Sequence, residues 1–443
     1  MVKKTVSLAI IAALSVSLLA GCGTKKVATN TTKKVTLTLW EQAATKTQVQ
    51  TDLEASFMKK YPNIKLNIVE QADMGTSAYL SAIAAGNAPS VMGGGYPTAM
   101  AYIYDNAVMP IDDYIAKTPD FKNFVKDQVE NFLVNGKHYA IPTGKYTMGF
   151  LYNKPLFTAA GITAVPTTWD ELEADAKKLT IPAKQQYGFG LDGTQWASWH
   201  LEQFVWEAGG DLSKKNADGT ATLTFDDPAV LTAANFYRKL KAEKVIQSNA
   251  NAQINDLLKD FANGKSGFIV SGLQSMVAVT LVGMGMKSED IGFFANPKGP
   301  SGKTYSQIGG DVMMVTVTKD KAVEDAAWTY LMYMNSHDSA DKNLKDQASK
   351  GPIGAGILSR TDLKNSDYGA VNAELQKAMD DSNAVGHNEY YAKGAVGSVA
   401  DDAVAKWFAD PSVDVVKTMK AAQDAANAKE LKDFNAGVLA AKK

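Results

Sequence analysis

Cysteine, arginine and histidine are scarce in this sequence of 443 residues. The single cysteine, Cys22, excludes an intramolecular disulfide. The only two arginines, Arg238 and Arg360, argue against a clamp for phosphate groups. The four histidines lack the spacing of metal ligands, so no metal site and no cofactor is expected. They are His138, His200, His337 and His387.

The sequence also lacks an excess of charge of either sign. There are 46 Lys+Arg residues against 47 Asp+Glu residues, for a formal net charge of -1. Without a basic field, nucleic acid is not an expected partner. Hydrophobic residues make up 45% and charged residues 21%, and the 35 Gly and 14 Pro are too few for a low-complexity chain. The length then predicts a globular protein of two to four domains.

The first residues predict export. Lys3 and Lys4 precede an uncharged run from Thr5 to Ala20, which is shorter than the about 20 residues that span a bilayer. The run leads into Leu19-Ala20-Gly21-Cys22, which resembles the lipobox of bacterial lipoproteins. That resemblance implies a signal peptide at 1–21 and a lipid-modified Cys22, followed by a polar, flexible tether that completes 22–34. The alternative is an ordinary signal peptide with a chance cysteine.

After the tether, strand-like and helical segments alternate. The alternating β-branched and apolar residues at 35–40 and 64–69 predict strands, and the apolar spacing at 47–61 and 79–86 predicts helices. This order favours a largely parallel sheet with helices on both faces. Further strands are predicted at 140–152, 268–271 and 308–319, and further helices at 169–179, 254–263, 322–334 and over most of the C-terminal part.

Several motifs occur in a fixed order. They are NGKHYAIP (135–142), LYNKPLF (151–157), AGI (160–162) and PTTWDEL (166–172), with shorter pieces such as KKYPNIK (59–65), AGNAP (85–89) and FANGK (261–265). Together the chain resembles family 1 of the extracellular solute-binding proteins, the maltose-binding-protein-like receptors of sugar ABC transporters. The pieces extend over nearly the whole chain that follows the tether.

The resemblance implies a fold, a function and partners. The fold is α/β, of the class II periplasmic-binding-protein type, with two α/β lobes joined by a hinge and a ligand cleft between them. Lobe 1 would comprise 35–144 and 305–354, and lobe 2 would comprise 145–304 and 355–443 with the C-terminal helices. The protein would be no enzyme but a monomeric receptor on the extracellular face of the cell membrane, delivering a carbohydrate to the transmembrane subunits of an ABC permease.

A neutral sugar needs aromatic platforms for its C–H faces and side chains that hydrogen-bond its hydroxyls. Trp199 stands about where maltose-binding relatives place a stacking aromatic residue, and Tyr146 where relatives reach into the cleft from the hinge. For Trp199 a core position is the alternative, and for Glu41 a solvated loop. The expected ligand-binding residues are Trp40, Glu41, Gly95, Tyr96, Tyr146, Trp196, Trp199, Gly272, Gln274, Gly310, Asp311, Tyr390 and Tyr391.

Three other functions stay open. The same fold could bind a glycerol phosphate ester, although the two arginines lie in no candidate cleft loop. It could also bind ferric ion through Tyr390 and Tyr391, although adjacent tyrosines are more often packed. An anchored glycosidase would need two carboxylates about 5 to 10 Å apart, and no motif defines such a pair.

Overall fold

The computed structural model describes residues 33–41, 46–71, 76–194, 196–272, 275–350, 357–368 and 373–441. Cys22 and Gln274 lie outside these residues. The strands are β1 (Val35–Glu41), β2 (Ile64–Glu70), β3 (Val91–Gly95), β4 (Leu133–Val134), β5 (Lys137–His138), β6 (Ile141–Asn153), β7 (Tyr187–Gly190), β8 (Ser213–Lys215), β9 (Ala221–Leu223), β10 (Ser266–Gly272), β11 (Ile291–Phe294), β12 (Ser306–Val315) and β13 (Gly386–Asn388).

Helices fill most of the remaining described chain. They are α1 (Gln48–Lys60), α2 (Thr76–Ala85), α3 (Tyr96–Tyr104), α4 (Asp112–Ile115), α5 (Lys126–Glu130), α6 (Lys154–Ala159), α7 (Trp169–Leu179), α8 (Ala197–Glu207), α9 (Pro228–Ala242), α10 (Ile254–Ala262), α11 (Ser275–Gly283), α12 (Lys321–Met334), α13 (His337–Lys350), α14 (Ala373–Ala384), α15 (Lys393–Ala409), α16 (Val415–Ala428) and α17 (Glu430–Ala440). Within the described residues, no helix combines the length and apolarity that crossing a membrane requires.

Local signals account for the helix ends. The Thr47 side chain accepts a hydrogen bond from the Gln50 amide (3.1 Å) at the start of α1, and Thr168 accepts one from the Glu171 amide (3.2 Å) at the start of α7. Such caps satisfy amides that have no partner within the helix. The helices predicted at 47–61 and 169–179 are confirmed within one or two residues.

The main sheet is mixed. Its strand order is β13-β12-β6-β10-β7, with β11 also on β6 and β3 also on β12. Strand β6 runs antiparallel to β10, β11 and β12. Among the described strands, only β1–β2, β7–β10 and β12–β13 pair in parallel. The predicted largely parallel sheet is therefore wrong, because the neighbours of β6 come from far along the chain and the local rhythm does not determine their direction.

Three clusters of buried residues hold the layers together. In the largest one, the parallel rings of Phe150 and Phe294 lie 5.0 Å apart between the sheet and the helices around it. The second joins β1 and β2 to α1 and α12. The third packs α10, α11 and α14 on β6, β10 and β11. Trp206, Trp328 and Trp407 are 2%, 6% and 0% exposed, so all three belong to the packed interior. Each such side chain contributes roughly 1.5–3 kcal/mol or more through burial.

Candidate ligand-binding site

Strand β6 connects two groups of strands. Its first half, Ile141–Thr147, pairs with β12, and its second half, Met148–Asn153, pairs with β10 and β11. The candidate site lies where β6 changes its partner strands, between Thr147 and Met148.

The strand register brings several predicted residues side by side. Asp311 on β12 pairs with Gly95 on β3 and with Gly144 on β6. Tyr146 follows on β6, opposite Gly309. Residues that are far apart in sequence thus form one row across three strands, about 5 Å between neighbours.

Two glycines of β12 make room for tyrosine rings. A side-chain carbon on Gly310 would lie 2.7 Å from the Tyr96 ring, and one on Gly309 would overlap the Tyr146 hydroxyl group. Any larger residue at either position would displace a tyrosine. The prediction that Gly310 belongs to the site thus has a steric counterpart, since Gly310 lets Tyr96 lie against the strand.

An aromatic group stands beside Tyr146. The ring of Trp199 meets Tyr146 edge-on, with centroids 6.1 Å apart, and meets Trp196 edge-on at 6.3 Å. Trp196 precedes α8 in a left-handed backbone conformation (φ 60) and is 50% exposed. Trp199 is half-buried. An accessible indole face of this kind can bind the C–H face of a sugar.

Two charged residues that the sequence analysis omitted from the site complete this group. The Tyr146 hydroxyl donates a hydrogen bond to Glu389 (3.3 Å), and Glu389 forms an ion pair with Lys393. The Lys393 ammonium lies 5.3 Å from the centre of the Trp199 ring. The i, i+4 spacing of a glutamate and a lysine was the only sequence signal for this pair.

Asp311 is the accessible acid of the site. It is exposed, and none of the described residues donates a hydrogen bond to its carboxylate or forms an ion pair with it. Desolvation and the charge of Glu389 raise its pKa. Burial and the nearby carboxylates also raise the pKa of Tyr146 and of the fully buried Glu202 well above their usual values. The described part of the site is therefore rich in acceptors, with the ammonium of Lys393 beside Glu389 and that of Lys145 next to Tyr146 on β6.

Four of the other predicted residues have structural partners of their own. Trp40 stacks on Tyr79 at 4.9 Å, and Glu41 is buried in an ion-pair group with Lys46, which also pairs with Glu54. The Tyr390 hydroxyl lies 3.4 Å from Ser198 Oγ, and Tyr391 donates to the Gly219 carbonyl (2.8 Å). Gly272 closes β10 opposite Met148, two residues along β6 from Tyr146.

The structure thus unites part of the predicted set. Gly95, Tyr96, Tyr146, Trp196, Trp199, Gly310 and Asp311 form one neighbourhood, which we call the Tyr146 cluster together with Glu389 and Lys393. A cavity of about 240 Å³ adjoins it, lined among others by Tyr146, Asp311 and Arg360. Among the described residues, no group of three or more His, Cys, Asp or Glu side chains could hold a metal ion.

Solved structures share this architecture. The GacH receptor of Streptomyces glaucescens GLA.O, solved unliganded and with acarbose, matches with a TM-score of 0.74 at 21% identity, over 90% of this chain and 99% of that one. UgpB of Mycobacterium tuberculosis, in complex with glycerophosphocholine, matches with a TM-score of 0.72 at 18% identity, over 88% and 97%. The fold is therefore that of class II periplasmic binding proteins, two α/β lobes with a hinge, as predicted.

Sequence comparison narrows this class to a family. The model of the bacterial extracellular solute-binding proteins matches residues 38–341, and the chain belongs to that family. The multiple sugar-binding protein of Streptococcus mutans is 25% identical over 361 residues, which cover 76% of this chain and 80% of the relative. The chain is accordingly a substrate-binding protein rather than an enzyme.

Proposed function

We propose that the protein is the lipid-anchored receptor of an ABC importer for a neutral carbohydrate, which it captures outside the cell and delivers to the permease. The observation that carries the proposal is the Tyr146 cluster, where the exposed indole of Trp196 and the carboxylate of Asp311, which pairs with none of the described residues, lie near one crossing strand. Aromatic faces beside hydroxyl acceptors are what a sugar requires. The sugar-binding relative in Streptococcus mutans supports the same class of ligand.

The charges of the cluster favour a neutral ligand over a phosphate ester. Within the Tyr146 cluster, Asp311 and Glu389 stand against the ammonium of Lys393, which Glu389 already pairs. Lys145 lines the adjoining cavity as a further ammonium, whose pKa is lowered by burial. Arg360 is bound to Asp120 and Asp362, and Arg238 donates to the carbonyls of Trp407 and Val413. Both guanidinium groups are thus engaged outside the cluster, which speaks against the phosphate-binding alternative.

Ferric ion is also disfavoured. The hydroxyl groups of Tyr390 and Tyr391 are occupied by Ser198, Gly219 and Tyr104. Burial raises the pKa of both phenols, so neither is inclined to become the phenolate that iron requires.

The proposed lobes and anchor complete this function. The chain would leave lobe 1 near 144 and return near 305, close to the starts of β6 and β12. Ligand contacts from both lobes would stabilise the closed form, because only differential affinity can shift such an equilibrium. Cys22 would carry the lipid. A Cys22→Ser variant should then move from the membrane fraction to the medium, whereas retention at the membrane would refute lipid anchoring.

The test of the ligand class is a thermal-shift screen of the purified protein. Mono-, di- and oligosaccharides are compared with glycerophosphocholine and ferric citrate, since any ligand that binds only the folded state raises Tm. A rise with one sugar class that is abolished in Asp311→Ala supports the proposal. A response to glycerophosphocholine or iron alone would refute the proposal that the ligand is a carbohydrate, while the assignment of the fold would stand.

A further inference from the structure

The proposed tether joins the body at one end of the β1–β2 pair. Val35 opens β1, and its amide donates a hydrogen bond to the Asn63 carbonyl (2.9 Å) directly before β2. The Lys33 ammonium binds the Asp320 carboxylate at 3.0 and 3.3 Å, which places residue 33 beside the start of α12. The chain that would carry the lipid therefore leaves the body between the first residues of β1 and the start of α12.

Exposed lysines are concentrated at this end. Lys34 directly precedes β1, and Lys65 is the second residue of β2. The two strands run parallel and pair from their first residues, so both lysines lie at the same end of the pair. Lys59 and Lys60 close α1, separated from β2 by residues 61–63 alone, and Lys319 precedes the aspartate that binds the tether. All five are exposed, and we call them the basic edge.

The charge of the basic edge is not neutralised by nearby acids. Among the described residues, no carboxylate forms an ion pair with any of its five lysines. Of the acids at the start of α12, Asp320 is paired with Lys33, and Glu324 and Asp325 are paired with Lys321. The basic edge is thus a positive surface on a chain whose formal net charge is -1.

Uncharged side chains around the edge suit a lipid headgroup region. Val317, two residues before Lys319, is 50% exposed. The rings of Tyr61 and Tyr333 are half-buried, and their centres lie 5.6 and 5.2 Å from the Lys60 ammonium. Tyrosine is enriched where membrane meets water, and a lysine can lay its apolar stem on a surface while its ammonium stays at the headgroups.

The length of the tether keeps this edge near the bilayer. Cys22 and Lys33 are 11 positions apart in the sequence, and a flexible chain of that length has a root-mean-square span of about 18 Å. A folded chain of about 400 residues has a radius of gyration of about 21 Å. A lipid at Cys22 therefore holds the basic edge, rather than a remote part of the body, close to the membrane. Attraction between the two surfaces acts within a Debye length, about 8 Å at physiological salt.

We infer that the basic edge is a membrane-contact surface, which binds the anionic phospholipid headgroups of the bilayer that holds the lipid anchor. Lysines near such a surface each add to the attraction, and a basic patch is a recognised second signal beside acyl chains. This inference rests on the proposed lipid anchor and adds an orientation to it. The basic edge shares no residue with the Tyr146 cluster, so contact with lipid leaves the ligand site free.

The experiment measures which lysines the bilayer shields. The lipid-modified full-length protein is reconstituted into vesicles of phosphatidylcholine or of phosphatidylcholine mixed with phosphatidylglycerol. Lysines are then acetylated with a membrane-impermeant reagent and quantified by mass spectrometry. Those of the basic edge should react about threefold or more slowly in the mixed vesicles, and about 1 M salt should remove the difference. The exposed Lys184, Lys244 and Lys287 are the internal control, and their rates should change less than about 1.5-fold.

A double variant tests whether the charges cause the shielding. Lys34→Gln combined with Lys65→Gln removes two ammonium groups at exposed positions, which the fold should tolerate. Shielding of the remaining lysines of the basic edge should then fall by about half or more. Lys184→Gln combined with Lys287→Gln is the matched control and should leave the shielding unchanged.

Vesicle flotation distinguishes the failure of this inference from the failure of the anchor. If the protein floats with phosphatidylcholine vesicles but the basic edge reacts equally in both lipids, the membrane-contact surface is refuted and the lipid anchor stands. Equal shielding of the control lysines would also refute it, because the body would then have no preferred face. If the protein floats with neither kind of vesicle, the lipid anchor fails and the inference with it.

Discussion

At the scale of single residues, burial decides what a side chain does. Trp196 and Trp206 are ten positions apart at the two ends of one helical segment, yet Trp196 is 50% exposed and Trp206 is 2% exposed. Trp206 packs on His387, with ring centroids 4.3 Å apart. The same residue type is therefore accessible to a ligand at one position and part of the core at the other.

Alanine variants should separate these two roles. In Trp196→Ala, stability should change by less than about 0.5 kcal/mol, since surface substitutions rarely cost more, while sugar affinity falls about tenfold. In Trp206→Ala, unfolding should become easier by about 3–5 kcal/mol. Urea unfolding measures the stability of each variant, and titration calorimetry measures its affinity for sugar. Loss of stability without loss of affinity in Trp196→Ala would remove Trp196 from the site.

Asp192 provides a second residue-scale prediction, from a position that the sequence analysis overlooked. It follows β7, is 1% exposed and accepts a hydrogen bond from the Thr194 amide (3.0 Å). Burial raises its pKa from 3.8 to about 6. A raised carboxyl pKa means that ionisation destabilises the fold above about pH 6, and that the penalty disappears once the pH is below the unfolded pKa of about 4.

Asp192→Asn should therefore stabilise the protein at pH 8, by about 3 kcal/mol at most, since one pKa unit corresponds to about 1.4 kcal/mol. The amide oxygen can still accept from Thr194. The extra stability of Asp192→Asn relative to wild type should decrease as the pH falls from about 7 to about 4. Urea titrations across this range measure it, and an advantage that does not vary with pH would rule out ionisation of Asp192 as its cause.

At the scale of elements, Arg360 joins three segments. Its guanidinium group binds Asp120 at 2.8 and 3.0 Å, Asp362 at 2.7 and 2.8 Å, and the carbonyl of Asn335 at 2.9 Å. These contacts connect the turn after α4, the end of α12 and the chain beyond α13. The guanidinium group lowers the pKa of both carboxyls.

Replacing this guanidinium group should loosen the contact of these segments. Arg360→Met should lower the free energy of unfolding by about 2 kcal/mol, less than for a fully buried pair because both carboxylates are partly exposed. The lowered pKa values of Asp120 and Asp362 stabilise the wild-type protein above about pH 4. This stabilisation is lost as the pH falls through the pKa values of the folded state. The difference in the free energy of unfolding between wild type and Arg360→Met should therefore decrease as the pH falls from about 5 to about 2. Arg238→Met is the control, because the Arg238 guanidinium group donates to carbonyls and its charge is only the least of the causes that lower the pKa of Asp410. Its difference from wild type should therefore change much less with pH.

At the scale of the whole molecule, helices α3 and α15 lie in close contact, and we expect hinge closure to depend on this contact. The proposed boundaries assign these helices to different lobes. A side-chain carbon on Gly394 of α15 would lie 2.8 Å from the carbonyl carbon of Pro97 in α3. Glycine at this position therefore permits the contact, since any methyl group would force the helices apart.

Gly394→Ala should favour the open form and weaken sugar binding about tenfold, because the competent state becomes less populated. Small-angle X-ray scattering should then show a larger radius of gyration that sugar reduces again. Gly397→Ala in the same helix is the control, since its added carbon meets only ordinary contacts at 3.4 and 3.6 Å. An equal loss of affinity in both variants would indicate a general effect on α15 instead.

Sequence reasoning predicted most of the elements and part of the candidate site. Periodicity located β1, α1, α7 and α12, because alternation and helical spacing are local properties. Sequence reasoning did not identify the ion pair of Glu389 and Lys393 as part of the site, since nothing in those residues indicates that Tyr146, more than 200 positions earlier, lies against them.

The order of residues alone determined the strands and helices, their caps and the resemblance to a family of extracellular receptors, because these depend on neighbours within about ten positions. Tertiary structure decided the mixed sheet, the row of Gly95, Asp311 and Gly144 and the cavity beside it. These features depend on which distant strands become partners. That choice arises from burying all three core clusters at once, a property of the whole chain that no local pattern contains.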